Sequence, residues 1–138
     1  MPTVSENDLA RLADAARAVR SRAHAPYSHF AVGAALLDEH GRVHIGCNVE
    51  NAALPLGLCA EAVALGTLVA AGGTQVHAAV VAGEAPHAVT PCGGCRQMLR
   101  EFADDDTPVW SADGQGWRAR HTLGELLPAS FGPGHWKA

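Results

Sequence analysis

An α/β fold, with helices on the faces of a mixed β-sheet, is predicted for this chain by three features of its sequence. The first segment repeats apolar residues at helical spacing. Further on, short apolar runs with strand character alternate with longer runs rich in Ala and Leu. Gly and Pro punctuate most of the boundaries between them. The elements read as helix, hairpin, helix, strand, helix, two strands and a short helix.

Ser5 is placed to cap the first helix, with Asp8 three residues on as a capping-box variant. Leu9, Leu12, Ala13, Ala16 and Val19 then recur on one face, and the helix ends near Ser21. Pro26 stops it, and Tyr27 to Phe30 form a loop. Ala31–Asp38 and Val43–Asn48 read as two strands around the turn signal Glu39-His40-Gly41. Asn51–Gly57, with Pro55, is a loop.

Leu58–Ala71 is apolar almost all round and reads as a buried helix, stopped by Gly72-Gly73. Val76–Ala82 is a central strand, and the segment to Pro91 is a loop. Gly93–Phe102 is a helix, with Asp104-Asp105-Asp106 as a solvated turn. Pro108–Ser111 and Trp117–His121 are strands turning at Asp113-Gly114. Thr122 and Glu125 form a second capping box, opening a short helix that ends before Pro128. The tail from Gly132 is expected to be irregular. Trp110, Trp117 and Trp136 are assigned to packing, and His29, His40 and His44 to the surface.

The chain has 138 residues, enough for one domain with a core, so residues 1–138 are read as a single domain. Its net charge is −4 and it has no run of Lys or Arg, which argues against DNA or RNA as a partner. Ala62–Ala71, the longest apolar run, falls well short of the roughly 20 residues of a membrane helix. No early stretch has the layout of a signal peptide, so a cytoplasmic protein is expected. Four cysteines in that setting suit metal binding better than disulfides. Sparse surface charge suggests that part of the exterior is covered in an oligomer.

Two motifs carry the chemistry. Leu58-Cys59-Ala60-Glu61 supplies a thiol and, two residues on, a carboxylate. Pro91-Cys92-Gly93-Gly94-Cys95 supplies two thiols across a tight, glycine-permitted turn. Three ligands and an open fourth position are the pattern of a catalytic zinc, so Cys59, Cys92 and Cys95 are the expected ligands of Zn²⁺, with Glu61 as the proton carrier. A closed structural site with Cys47 as fourth ligand is the alternative on spacing alone; otherwise Cys47 is a small core residue. The two cysteine motifs also place helix N-termini at the metal, where N–H groups and helix dipoles temper the thiolate charge.

Cys-x-Glu followed by Pro-Cys-x-x-Cys is the signature of zinc nucleobase deaminases. Tyr27-Ser28-His29-Phe30-Ala31-Val32-Gly33-Ala34-Ala35-Leu36, Gly46-Cys47-Asn48-Val49-Glu50-Asn51-Ala52, Pro91 to Gln97 and Leu126-Leu127-Pro128-Ala129-Ser130-Phe131 extend the likeness along nearly the whole chain. The sequence resembles the small cytidine deaminases. The resemblance implies a three-layer α-β-α sandwich with a five-stranded mixed sheet in the order 2-1-3-4-5. It implies hydrolytic deamination of cytidine and deoxycytidine to uridine and deoxyuridine in pyrimidine salvage, one Zn²⁺ per subunit, and Glu61 as catalytic acid and base.

It further implies that Asn48 and Glu50 hold the ribose 3′-hydroxyl, that Phe30 and the Ala60 main chain meet the base, and that Phe131 stacks on the base in a neighbouring subunit of a homotetramer. Two departures stand out. Ala62 occupies the position where many relatives carry an Arg that tempers the thiolate charge, which leaves Arg96 as a nearby substitute. Leu54 occupies the position of a common aromatic. Part of the sequence, Cys59 to Thr67 and Cys95-Arg96-Gln97, also resembles the deaminases of blasticidin-type antibiotics. A polynucleotide editor and a non-catalytic zinc-stabilised binding module are the remaining alternatives.

Overall fold

The computed structural model describes residues 3–136. Ser5 caps helix α1 (Glu6–Arg20) in a reciprocal box, its hydroxyl accepting from Asp8 N at 3.0 Å while Asp8 Oδ2 accepts from Ser5 N at 3.2 Å. There follow strand β1 (Gly33–Asp38), strand β2 (Val43–Cys47), helix α2 (Ala60–Ala70), strand β3 (Val76–Ala82), helix α3 (Gly93–Arg100), strands β4 (Pro108–Ala112) and β5 (Trp117–Thr122), and the short helix α4 (Leu123–Leu126).

The strands form one five-stranded sheet in the order β2-β1-β3-β4-β5. β1 pairs antiparallel with both β2 and β3, β3 pairs parallel with β4, and β4 pairs antiparallel with β5. The parallel step needs a crossover, and α3 supplies it. This is the topology that the resemblance implied.

Period-2 alternation divides the core into two layers. Ala34 and Leu36 of β1 face α2, α3 and α4, where they meet Ala60, Ala64, Leu68, Leu99 and Leu123. Ala35 and Leu37 face α1 and its Leu12 and Ala16. β1 is covered on both sides and wholly buried. A fully buried leucine such as Leu36 or Leu68 contributes roughly 2 kcal/mol through apolar burial.

Several expectations need correction. β1 begins at Gly33 rather than Ala31, because Val32 N donates to the Asn48 side chain instead of a strand neighbour. α2 begins at Ala60, with Cys59 as its N-cap, and it is not buried all round: Val69 lies 48% exposed. Pro55 sets a 3-10 turn over Leu54–Leu56 inside the expected loop. The tail also winds into a 3-10 turn, Pro133–Trp136, and Trp136 is 83% exposed rather than packed. Cys47 is half-buried.

His44 is buried, not on the surface: its Nε2 lies 2.7 Å from Asp38 Oδ2. Asp38, itself buried, also accepts from His40 N, Arg42 N and Arg42 Nε. The other end of Arg42 donates to Ala71 O at 3.1 Å, and Glu39 accepts from Thr74 N, Thr74 Oγ1 and Gln75 N. The β1–β2 turn is thereby pinned to the exit of α2 and the entry to β3.

Candidate active site

α2 and α3 start side by side, and the reason lies in their first residues. Cys59 and Cys92 are both N-caps in extended conformation, and Cys95 lies in the first turn of α3. Gly46 of β2 lets α2 approach the sheet: a Cβ there would sit 2.5 Å from Ala60 O. The β2 exit then reaches the cysteine loop, because Val49 and Leu58 exchange N–H···O bonds of 2.9 and 2.8 Å. Leu58 immediately precedes Cys59, so the Asn48–Glu50 segment runs alongside the first thiol.

The sulfurs of Cys59, Cys92 and Cys95 all lie within 4.8 Å of one another, and Cys59 Sγ is 3.9 Å from Cys92 Sγ. Thiolates at about 2.3 Å from one tetrahedral ion would stand roughly 3.8 Å apart, so the spacing fits zinc. Among the described residues this is the group able to hold a metal, and Cys47 is not part of it. That disfavours the closed four-cysteine alternative. Cys95 is buried, while Cys59 and Cys92 are exposed, leaving one side of the cluster open.

Burial pushes the Cys59 and Cys95 thiols up; Glu61 and Cys92 add to it at both, and the hydrogen bond between Cys59 and Cys95 offsets part of it at Cys59. The Cys95 main-chain N–H pulls the Cys92 thiol down. Three neighbouring thiols, two of them held protonated, become a stable thiolate set only when a cation joins them. The donor chemistry therefore agrees with the spacing.

Glu61 is 5% exposed and shares the first turn of α2 with Ala60. Burial raises its carboxyl above the ordinary carboxylate value. A carboxyl can both take and return a proton within one turnover.

The predicted sugar-binding pair turns to one loop. Asn48 Nδ2 donates to Phe30 O at 2.8 Å and Asn48 Oδ1 accepts from Val32 N at 2.8 Å. Glu50 accepts from Tyr27 N at 2.9 Å, from Ser28 N at 3.2 Å and from the Ser28 hydroxyl. The Ser28 hydroxyl and these N–H groups hold the Glu50 carboxyl below its ordinary value, so it stays ionised. Ser28 was not predicted as a partner; only the folded loop brings it within reach. Phe30 is 41% exposed on this loop.

Arg96 does not face the sulfurs with its hydrogen bonds. It donates to Pro91 O at 2.7 Å, Leu126 O at 2.8 Å and Thr90 Oγ1 at 3.1 Å. These bonds brace the loop that carries Cys92. Phe131 is 57% exposed, its carbonyl tied to Gln97 and its ring stacked on His135 with centroids 4.7 Å apart. A cavity of about 620 Å³ lies elsewhere, between Thr74-Gln75, the end of α3 and the tail. It holds no thiol cluster, and the metal-binding chemistry outweighs its size in locating the site.

Residues 6–111 match the family described as the cytidine and deoxycytidylate deaminase zinc-binding region. The chain belongs to that family. It is 38% identical over 124 residues to a cytidine deaminase of Sporosarcina psychrophila, covering 90% of this chain and 91% of the relative. A cytidine deaminase of Halalkalibacterium halodurans is 43% identical over 112 residues, 81% of this chain and 85% of its own. Among solved structures, the cytidine deaminase of Burkholderia pseudomallei superposes with a TM-score of 0.83 at 43% identity, covering 88% of this chain and 98% of that one. The Mycobacterium tuberculosis enzyme gives 0.76 at 38% identity, covering 91% and 98%. In this deaminase family the zinc-binding region spans both cysteine motifs of the chain.

Proposed function

We propose that this protein catalyses the hydrolytic deamination of cytidine and deoxycytidine to uridine and deoxyuridine with release of ammonia, as a cytoplasmic enzyme of pyrimidine salvage. The observation that carries the reading is the buried Glu61 carboxyl beside an open cluster of three thiols. Cys59, Cys92 and Cys95 would hold one Zn²⁺ per subunit, which would supply Lewis acidity at the open position. Glu61 takes a proton from the attacking water, delivers it to N3 of the pyrimidine ring, and then helps protonate the amine leaving C4.

The donor and acceptor inventory supports a ribose hydroxyl at Asn48 and Glu50. The Asn48 amide has two N–H donors and spends one on Phe30 O. A carboxylate offers about four acceptor positions, and Glu50 uses three. One donor and one acceptor therefore remain for a 3′-hydroxyl. Phe30 and the Ala60 main chain line the base.

The open flank of the site supports an assembly. Leu54, Leu56, Leu58 and Phe131 are large apolar residues, each more than half exposed. We read this rim as covered in a homotetramer, with Phe131 of a neighbouring copy stacking on the base. Free nucleosides, not polynucleotides, are the substrates; the net charge of −4 offers nothing to a phosphate chain. No described helix is long and apolar enough to cross a membrane.

Ammonia release from the zinc-loaded protein with cytidine, deoxycytidine, CMP and blasticidin S in parallel tests the reading. Turnover of the two free nucleosides is expected. Turnover of blasticidin S alone would overturn the substrate, and no turnover by folded, metal-replete protein would favour a binding module.

A further inference from the structure

We propose that Gln97 is a positioning residue that fixes the direction of the Phe131 ring, the group offered to the base in a neighbouring copy. The proposal rests on the deaminase reading above and deepens it. Gln97 lies two residues beyond Cys95 on α3, and its Nε2 donates to Phe131 O at 2.8 Å. Arg96, one residue earlier, donates to Leu126 O at 2.8 Å. The helix that presents two of the three thiols thus fastens the segment from Leu126 to Phe131 with two hydrogen bonds.

That segment needs fastening. Ala129 has φ of 51°, a left-handed conformation that costs a non-glycine residue roughly 1 kcal/mol or more and persists where the surroundings enforce it. Burial does not fix Phe131, since more than half of it is exposed. Its ring rests on His135, whose Nδ1 accepts from Gly132 N at 3.1 Å, so that contact moves with the same segment. The Gln97 amide is the tether from α3 that reaches Phe131 itself. A single neutral hydrogen bond at an exposed site adds little to stability, yet it fixes the direction of a side chain that must reach a ligand.

The test uses the full-length, zinc-loaded protein as wild type, Q97A, Q97E, F131A and the Q97A/F131A double variant. The readouts are uridine affinity by calorimetry, kcat and KM with cytidine, zinc content, and hydrogen exchange over residues 126–136. Q97A is expected to weaken uridine binding and raise KM by roughly tenfold, the equivalent of one hydrogen bond, with kcat changed less than about twofold. Q97E, which keeps the size and loses the donor, should match it. Zinc content should be unchanged, and exchange in 126–136 should accelerate. In the F131A background, Q97A should add nothing further, because its effect runs through Phe131.

Additive losses in the double variant, or Q97A with wild-type uridine affinity, would overturn the proposal. If the wild type neither binds uridine nor turns over cytidine, the deaminase reading has failed. The exchange measurement still judges the tether in that case: unchanged protection of 126–136 in Q97A would refute it, and faster exchange would support it.

Discussion

Gly46 lies directly beneath Ala60, so close that a Cβ at position 46 would stand 2.5 Å from the Ala60 carbonyl oxygen. The start of α2, and with it Cys59 and Glu61, is therefore set by the absence of one methyl group on β2. Gly46→Ala should push the helix off the sheet and cost roughly 1–3 kcal/mol. The variant should also lose zinc to a chelator faster than wild type. Urea unfolding and zinc release followed by a colorimetric chelator check both.

Glu61→Gln keeps the size of the buried side chain and removes its ability to carry a proton. We expect wild-type zinc content and a fall in kcat of at least 10³-fold, the upper part of the range for acid–base catalysis. Full activity in this variant would remove Glu61 from the mechanism.

Ala62→Arg places a guanidinium one residue after Glu61, close to the thiol cluster. A positive charge there favours ionised acids in the site, so the acid limb of the kcat/KM profile should move to lower pH by on the order of one unit. A pH–rate profile of wild type against A62R reads this directly; superimposable curves would mean that the helix N-termini suffice.

Asp38 gives the pH dependence of stability. Burial on its own would raise its pKa, but the hydrogen bonds from His44, Arg42 and the His40 and Arg42 main chain outweigh that and hold the carboxyl well below the ordinary range. Glu39 beside it is drawn down to about 2, chiefly by the Thr74 hydroxyl. A folded-state pKa below the unfolded one adds stability above about pH 4, and that stability is lost as pH falls further. Asp38→Asn should cost about 2–3 kcal/mol at pH 7 and less at pH 3, where the unfolded carboxyl is largely protonated. Denaturant unfolding at the two pH values tests the sign.

The thiol cluster and the strand order were legible from the sequence because each left a local mark. The two cysteine motifs carry fixed spacings, the capping boxes at Ser5 and Thr122 name their helix starts, and the resemblance supplied the order of strands. What was hidden depends on residues far apart in the chain. His44 reads as an ordinary strand-end histidine until Asp38 is found behind it. Arg96 lies next to a ligand in sequence, yet its donors go to carbonyls on either side of α3, one of them 30 residues away. Gln97 stands inside a recognised motif, but its partner is a carbonyl 34 positions further on, which the motif does not name. The outer face of α2 was misjudged because a helix apolar all round gives no phase by which to tell the core side from the other.

The N-cap placement of Cys59 and Cys92 has one more consequence. A single ion gripping both helix starts is a removable cross-link, closing a long stretch of chain that includes α2 and β3. Like a disulfide, such a link takes conformational freedom from the unfolded chain, but its strength follows the free metal concentration. Resistance to unfolding and to proteases is therefore expected to follow the zinc supply of the surroundings.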